Sequence, residues 1–132
     1  MYTKEYEINV SDSKFIDTSV WLDYFFKSKH REVIDSAEIV LVSVLSIFEI
    51  RKKMYKDKID AQKIEEVMSF LQKKSLIEPV TKEIAELAVQ ISLKYETPAV
   101  DALIYATAQK HKAHLFTCDN DFRRLPEVTI LS

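Results

Sequence analysis

Glycine is absent from all 132 residues, where average usage near 7% would supply roughly nine. A G-x-x-x-x-G-K-[ST] phosphate cradle and a G-x-G-x-x-G dinucleotide fingerprint are therefore excluded. Two-residue hairpins, whose favoured turns need positive φ, are disfavoured, so a hairpin-rich all-β domain is not expected. Helices that commonly stop on a left-handed glycine must stop on residues such as Lys29, Lys112 or Asn120, at least one of which is expected at positive φ. The single cysteine, Cys118, excludes an internal disulfide and suits a reducing compartment. Neither charge sign dominates: 19 basic and 21 acidic residues give a net charge of −2. No bulk positive field points to nucleic acid, although a local basic patch would suffice. No stretch approaches the ~20 apolar residues of a membrane span, and charges interrupt any signal-peptide core in Met1–Glu7. One cytoplasmic domain over residues 1–132 is expected, with residues 1–12 a loose N-terminal arm.

Short apolar runs alternate with longer amphipathic ones. Phe15-Ile16, Ile39-Val40-Leu41-Val42, Leu76-Ile77, Leu115-Phe116 and Val128-Thr129-Ile130-Leu131 lack polar alternation, as strands buried on both faces do. Ile84, Leu87, Ala88, Ile91 and Tyr95 form a helical stripe, and so do Ile64, Val67, Met68 and Leu71. Thr97-Pro98 predicts a helix start with a capping hydroxyl and proline at the first helical position. The expected order is β-α-β-α-α-β-α-α-β-α-β. That is an α/β chain: a three-layer α/β/α sandwich around a mostly parallel five-stranded sheet.

In open α/β sheets, ligands bind beyond the carboxyl ends of the strands. Asp17 ends the first strand, and Asp119 follows the fourth. Glu49 lies about two turns into the helix after the second strand, and Asp101 sits in the opening turns of an apolar helix. Each alone has a plainer reading: Asp17 as a helix cap, Asp101 as a partner of the helix dipole, Glu49 as a solvent-edge residue, Asp119 as part of a polar loop. Together they converge at one pole. Two carboxylates ~5 Å apart repel by about 3 kcal/mol at an effective dielectric of ~20, so four would take up protons or hold a cation. His30, His111, His114 and Cys118 lack zinc-ligand spacing, whereas an all-oxygen set suits Mg2+ or Mn2+. Such an ion positions a water, polarises a phosphoryl oxygen and stabilises the leaving oxygen.

These residues stand in stretches that resemble the four motifs of PIN-domain nucleases, in family order. They are Phe15-Ile16-Asp17-Thr18-Ser19-Val20-Trp21-Leu22, Ser43-Val44-Leu45-Ser46-Ile47-Phe48-Glu49-Ile50, Val100-Asp101-Ala102-Leu103-Ile104-Tyr105-Ala106-Thr107-Ala108 and Leu115-Phe116-Thr117-Cys118-Asp119-Asn120-Asp121-Phe122. The resemblance covers residues 14–131 and implies Mg2+- or Mn2+-dependent ribonuclease activity. It implies that Asp17, Asp101 and Asp119 hold the metal, that Glu49 orients water or a second ion, and that Thr117 and Ser19 hydrogen-bond behind them. At this length the chain is most similar to VapC-type toxins, which implies an RNA substrate, a cognate antitoxin and a homodimer. The departures are the extra N-terminal residues and the lack of glycine, with His111-Lys112-Ala113 where the family often turns on one.

Arg51, Lys52 and Lys53, with Lys56 and Lys58 beyond, read first as a solvated helix face. Beside a metal site they, and Arg123-Arg124, are candidates to bind the RNA backbone. Trp21, Leu22 and Phe25 are expected in the core, with Tyr24 and Phe26 reaching an interface. The histidines receive no role, and Cys118 reads as a packing residue. The alternatives are an RNA-processing nuclease of the same fold, or a non-catalytic module binding RNA or protein. An aspartyl phosphotransferase is disfavoured, because Ser19 stands where a haloacid-dehalogenase-like site wants a second Asp.

Overall fold

The computed structural model describes residues 13–132, and the arm expected over residues 1–12 lies outside them. Five strands, β1 (Lys14–Ile16), β2 (Val40–Ser43), β3 (Ser75–Glu78), β4 (His114–Thr117) and β5 (Val128–Ile130), form one sheet in the order β3-β2-β1-β4-β5. Every pairing is parallel. Helices α1 (Thr18–Lys27), α2 (Arg31–Asp35), α3 (Val44–Lys56), α4 (Ala61–Lys74), α5 (Lys82–Tyr95) and α6 (Ala99–Lys110) connect them, and a 3-10 turn (Asn120–Phe122) precedes β5. The all-parallel sheet follows from the short, unalternating apolar runs.

Two cores cover the two faces. Ile16, Val40 and Val42 pack with Trp21, Ile34, Ile50, Met54, Ile64, Val67 and Leu71 on one side. Phe15 and Leu115 pack with Ile84, Ala88, Ile91, Ile104 and Phe122 on the other. Both helical stripes read from the sequence point inward. Trp21 is fully buried, with its ring centroid 5.6 Å from that of Phe25. Tyr24 is half-buried, stacks on Phe70 and donates to Asp35, whereas Phe26 is exposed.

Three local expectations are corrected. Two helices, not one, join β1 to β2, because Ser28 and His30 both adopt positive φ and break the run. The helix expected between β4 and β5 is only a 3-10 turn, since Asp119 Oδ1 accepts the Asp121 amide and buried Phe122 and Leu125 pin the segment. At the start of α6, Pro98 is the cap residue and Thr97 makes no capping bond. The Thr97 amide instead donates to the Ser92 carbonyl and its own carbonyl accepts from Ser92 Oγ, while its hydroxyl is buried without a partner. The helix ends do use left-handed residues other than glycine. Ser28, His30, Lys58, Glu96, Lys112 and Glu127 have positive φ, so Lys112 meets the expectation while Lys29 and Asn120 do not.

The chain changes direction at β1. Its connection runs to β2 on one side, while β4 lies on the other, so the crevice at the carboxyl ends of β1 and β4 is the switch point where such sheets take ligands.

Candidate active site

Parallel pairing of Ile16 with Phe116 sets the ends of β1 and β4 side by side, so Asp17 and Thr117 become neighbours across 100 positions of sequence. Asp17 occupies the cap position of α1 but makes no capping bond. It is 5% exposed, and its Oδ2 accepts from Thr117 Oγ1 at 2.7 Å and Ser19 Oγ at 2.9 Å. Each hydroxyl is held in turn by a backbone amide of the loop after β4: Asp119 N–H donates to Thr117 Oγ1 and Cys118 N–H to Ser19 Oγ. Burial pushes the Asp17 carboxyl above its ordinary range, against these hydrogen bonds, and Glu49 adds to the rise.

Asp101 lies in the first turn of α6, where the helix dipole favours its charge by ~0.3–1 kcal/mol. That effect loses. Burial, then the charges of Asp119, Asp17, Asp121 and Glu49, push its carboxyl up to about 7. The helix-dipole reading therefore does not account for this residue. Among the described residues, the carboxylates of Asp101, Asp119 and Asp121 bring one oxygen each within 4.8 Å of one another. Asp17 and Glu49 act on Asp101 as charges but stand outside that triplet. Glu49, half-buried on α3, accepts a 2.6 Å bond from Thr18 Oγ1, which also lies 2.7 Å from Ser46 Oγ.

The four acids named from the sequence thus share one electrostatic neighbourhood, and the structure adds Asp121 and Thr18. Asp121 escapes a reading that stops at the first acid after Thr117. The Asp-x-Asp spacing across a tight turn was the signal. The donor set, carboxylate oxygen throughout, fits a hard divalent cation, and a carboxyl raised to about 7 by burial and then by four like-charged neighbours is the mark of a site short of positive charge.

The basic candidates scatter. Arg51 pairs with Glu65 at 3.0 Å and bonds Tyr55, Lys52 lies over the Phe48 ring, and Lys53 pairs with Asp57. Arg123 and Arg124 line a groove with Asp121, Tyr95, Glu96 and Pro98. A second grouping was not foreseen. His30 and Cys118, whose spacing gives no zinc-ligand pattern, converge with Asp23 because β4 lies beside β1.

No curated protein sequence matches the chain significantly. Solved structures with a similar fold include a chain of a toxin–antitoxin complex from Klebsiella pneumoniae, 25% identical with a TM-score of 0.77, covering 89% of this chain and 96% of that one. A chain of VapBC2 from Rickettsia felis, bound to a promoter DNA fragment, is 16% identical at a TM-score of 0.72, covering 89% and 96%. VapC20 of Mycobacterium tuberculosis, a sarcin–ricin-loop-cleaving toxin, is 19% identical at 0.66, covering 86% and 95%. The strand leading into Asp17, the helix carrying Asp101 and the loop carrying Asp119 all fall within residues 14–128, which a model of the PIN domain matches, and on that match the chain belongs to the PIN-domain family.

Proposed function

We propose that the protein is a Mg2+- or Mn2+-dependent ribonuclease that hydrolyses RNA phosphodiester bonds, acting as the toxin of a VapBC-type pair. The observation that carries this reading is the carboxylate cluster at the β1–β4 switch point, with Asp101 pushed up to about 7 by burial and four neighbouring acids. A bound Mg2+ or Mn2+ supplies Lewis acidity and an acidified water for phosphodiester hydrolysis. Asp101, Asp119 and Asp17 are the residues that would hold it, with Asp121 adjoining and Glu49 at the edge.

The chain's own groups do the positioning. Ser19 and Thr117 fix Oδ2 of Asp17 from two sides. Thr18 fixes Glu49. Because both hydroxyls also accept amides of the loop after β4, that loop and Asp17 are held in one frame. Arg123 and Arg124 beside Asp121 give the RNA backbone a place to lie.

The toxin assignment is supported by the fold it shares with the Klebsiella toxin–antitoxin chain and with VapC20. Exposed Val44, Phe48 and Tyr55 on α3 offer apolar surface to an antitoxin, and exposed Val89, Leu93 and Val100 on α5 and α6 offer one to a second copy. Among the described residues no helix is long and apolar enough to cross a membrane, and the proposed setting is the cytoplasm.

The test is cleavage of a structured RNA by the purified chain with Mg2+ or Mn2+, with EDTA, and as Asp17→Asn and Asp101→Asn. Metal-dependent cleavage lost in both folded variants is expected. Equal cleavage by parent and variants overturns the proposal.

A further inference from the structure

Asp23 on α1, His30 between α1 and α2, and Cys118 just after β4 meet at one point. His30 Nε2 lies 3.1 Å from Asp23 Oδ2 and 3.4 Å from Cys118 Sγ, and Sγ lies 3.7 Å from the same Oδ2. The His30 side chain is 8% exposed.

A nucleophilic thiol relay would place the carboxylate on one ring nitrogen and the thiol on the other. Here both partners address Nε2, so the three groups converge on a point and do not form a chain. The thiol is not activated either, since burial and Asp23 raise it. Three different donor atoms facing one another are the arrangement of a coordination face. An ion bonded to nitrogen and carboxylate oxygen at about 2.1 Å and to thiolate sulfur at about 2.3 Å, with tetrahedral angles, sets those atoms about 3.4–3.6 Å apart. The observed separations of 3.1, 3.4 and 3.7 Å match to within a few tenths of an ångström.

We propose that Asp23 Oδ2, His30 Nε2 and Cys118 Sγ form a second metal site, distinct from the carboxylate cluster, that takes a borderline divalent transition ion, Zn2+ foremost, with water in the fourth position. The nitrogen, sulfur and oxygen set selects such an ion over Mg2+, which prefers oxygen alone. Binding displaces the thiol proton to solvent and leaves a Zn–thiolate bond. Lys27 sits on the other oxygen of Asp23, at 3.7 Å from Oδ1, and leaves Oδ2 to the ion. Asp23 also lines a cavity of about 430 Å³, so the site is reached from solvent on the Asp23 side. The ion would join the middle of α1 and the residue capping α2 to the residue preceding Asp119. Its occupancy would steady the loop that carries that acid.

The test is Co2+ titration of the full chain under reducing conditions. A thiolate-to-Co2+ charge-transfer band that saturates at one equivalent and is displaced by Zn2+ is expected. The band should persist in Asp101→Asn, which leaves this site intact, and vanish in Cys118→Ser and in His30→Gln. Zn2+ should likewise raise the Tm of Asp101→Asn but not of Cys118→Ser or His30→Gln. Absence of the band in the parent overturns the proposal, and so does a band that survives in His30→Gln. Because the band requires a thiolate, its failure leaves the ribonuclease reading to its own assay.

Discussion

Replacing Asp101 by Asn should stabilise the metal-free protein while abolishing the cation response of its acidic site. The Asp101 carboxyl is raised from 3.8 to about 7. Between those values the folded chain holds a proton that the unfolded chain has lost, so stability falls as pH rises through this window and the full penalty stands above pH 7. Three units at 1.36 kcal/mol each would give ~4 kcal/mol for a fully shielded group, but solvent reaches part of this carboxyl and screening leaves ~1–2 kcal/mol. Asn carries no charge at any pH. At pH 8 without divalent ions, Asp101→Asn should therefore melt roughly 4–10 °C above the parent, and the gap should close as pH falls toward 4. Adding Mn2+ at pH 8 should raise the parent's Tm by binding the folded state only, and raise the variant's much less. Thermal unfolding followed by circular dichroism at pH 4.5 and pH 8, with EDTA or Mn2+, measures both effects. A variant no more stable than the parent at pH 8, or a gap independent of pH, would refute a buried, charge-crowded Asp101 carboxyl.

Thr117→Val removes one of the two hydroxyls on Asp17 and leaves the Asp119 amide without its acceptor. A loss of ~1–3 kcal/mol in urea denaturation and weaker Mn2+ binding are expected, and unchanged metal affinity would deny Thr117 its positioning role. Lys112 holds positive φ at the end of α6, where a left-handed non-glycine residue costs roughly 1 kcal/mol. Lys112→Gly should thus stabilise the fold by ~0.5–1 kcal/mol, and a destabilised variant would show that the lysine side chain outweighs the backbone strain. Arg123→Ala with Arg124→Ala should weaken binding of single-stranded RNA and flatten its salt dependence by about 0.7 for each phosphate no longer neutralised. Equal slopes in a fluorescence-anisotropy titration would place the RNA elsewhere.

The parts of this molecule that the sequence displays are those encoded within one element. Buried parallel strands reveal themselves as short apolar runs, and Phe15-Ile16 followed by Asp17 announces both a strand and the acid at its carboxyl end. Asp101 was legible because a charged residue among Ala102, Ile104 and Ala106 is out of place unless it faces a site. The convergence of the four acids followed from the pole they share and from the motifs, but a grouping that no motif marks was hidden. Asp23, His30 and Cys118 have no periodic relation, and only the adjacency of β1 and β4 brings residue 118 against residues 23 and 30. The break between α1 and α2 was hidden for a different reason. Ser28 and His30 at positive φ substitute for the glycine that would have marked it, so a chain without glycine conceals its own helix ends.

The same adjacency explains why the acids and the hydroxyls belong to one device. Phe15 pairs with Leu115 and Ile16 with Phe116, so the next step along both strands sets Asp17 opposite Thr117. Side chains alternate faces along a strand, and a slip of one residue would send the Thr117 hydroxyl to the opposite face and Phe15 out of its core. The register is fixed by apolar burial: Phe15 and Leu115 share one core while Ile16 joins the other. Packing energy that has nothing to do with chemistry therefore aims the Asp17 carboxylate. The hydroxyls of Ser19 and Thr117 carry that alignment onward to the amides of residues 118 and 119. Asp119 reaches Asp101 because the loop that bears it is bonded to the strand end that bears Asp17. A core substitution that shifts β1 against β4, such as Phe15→Ala, should then disturb metal binding even though residue 15 touches no carboxylate, and its effect on Mn2+ affinity should exceed that of an equally destabilising change in the α4 core, such as Leu71→Ala.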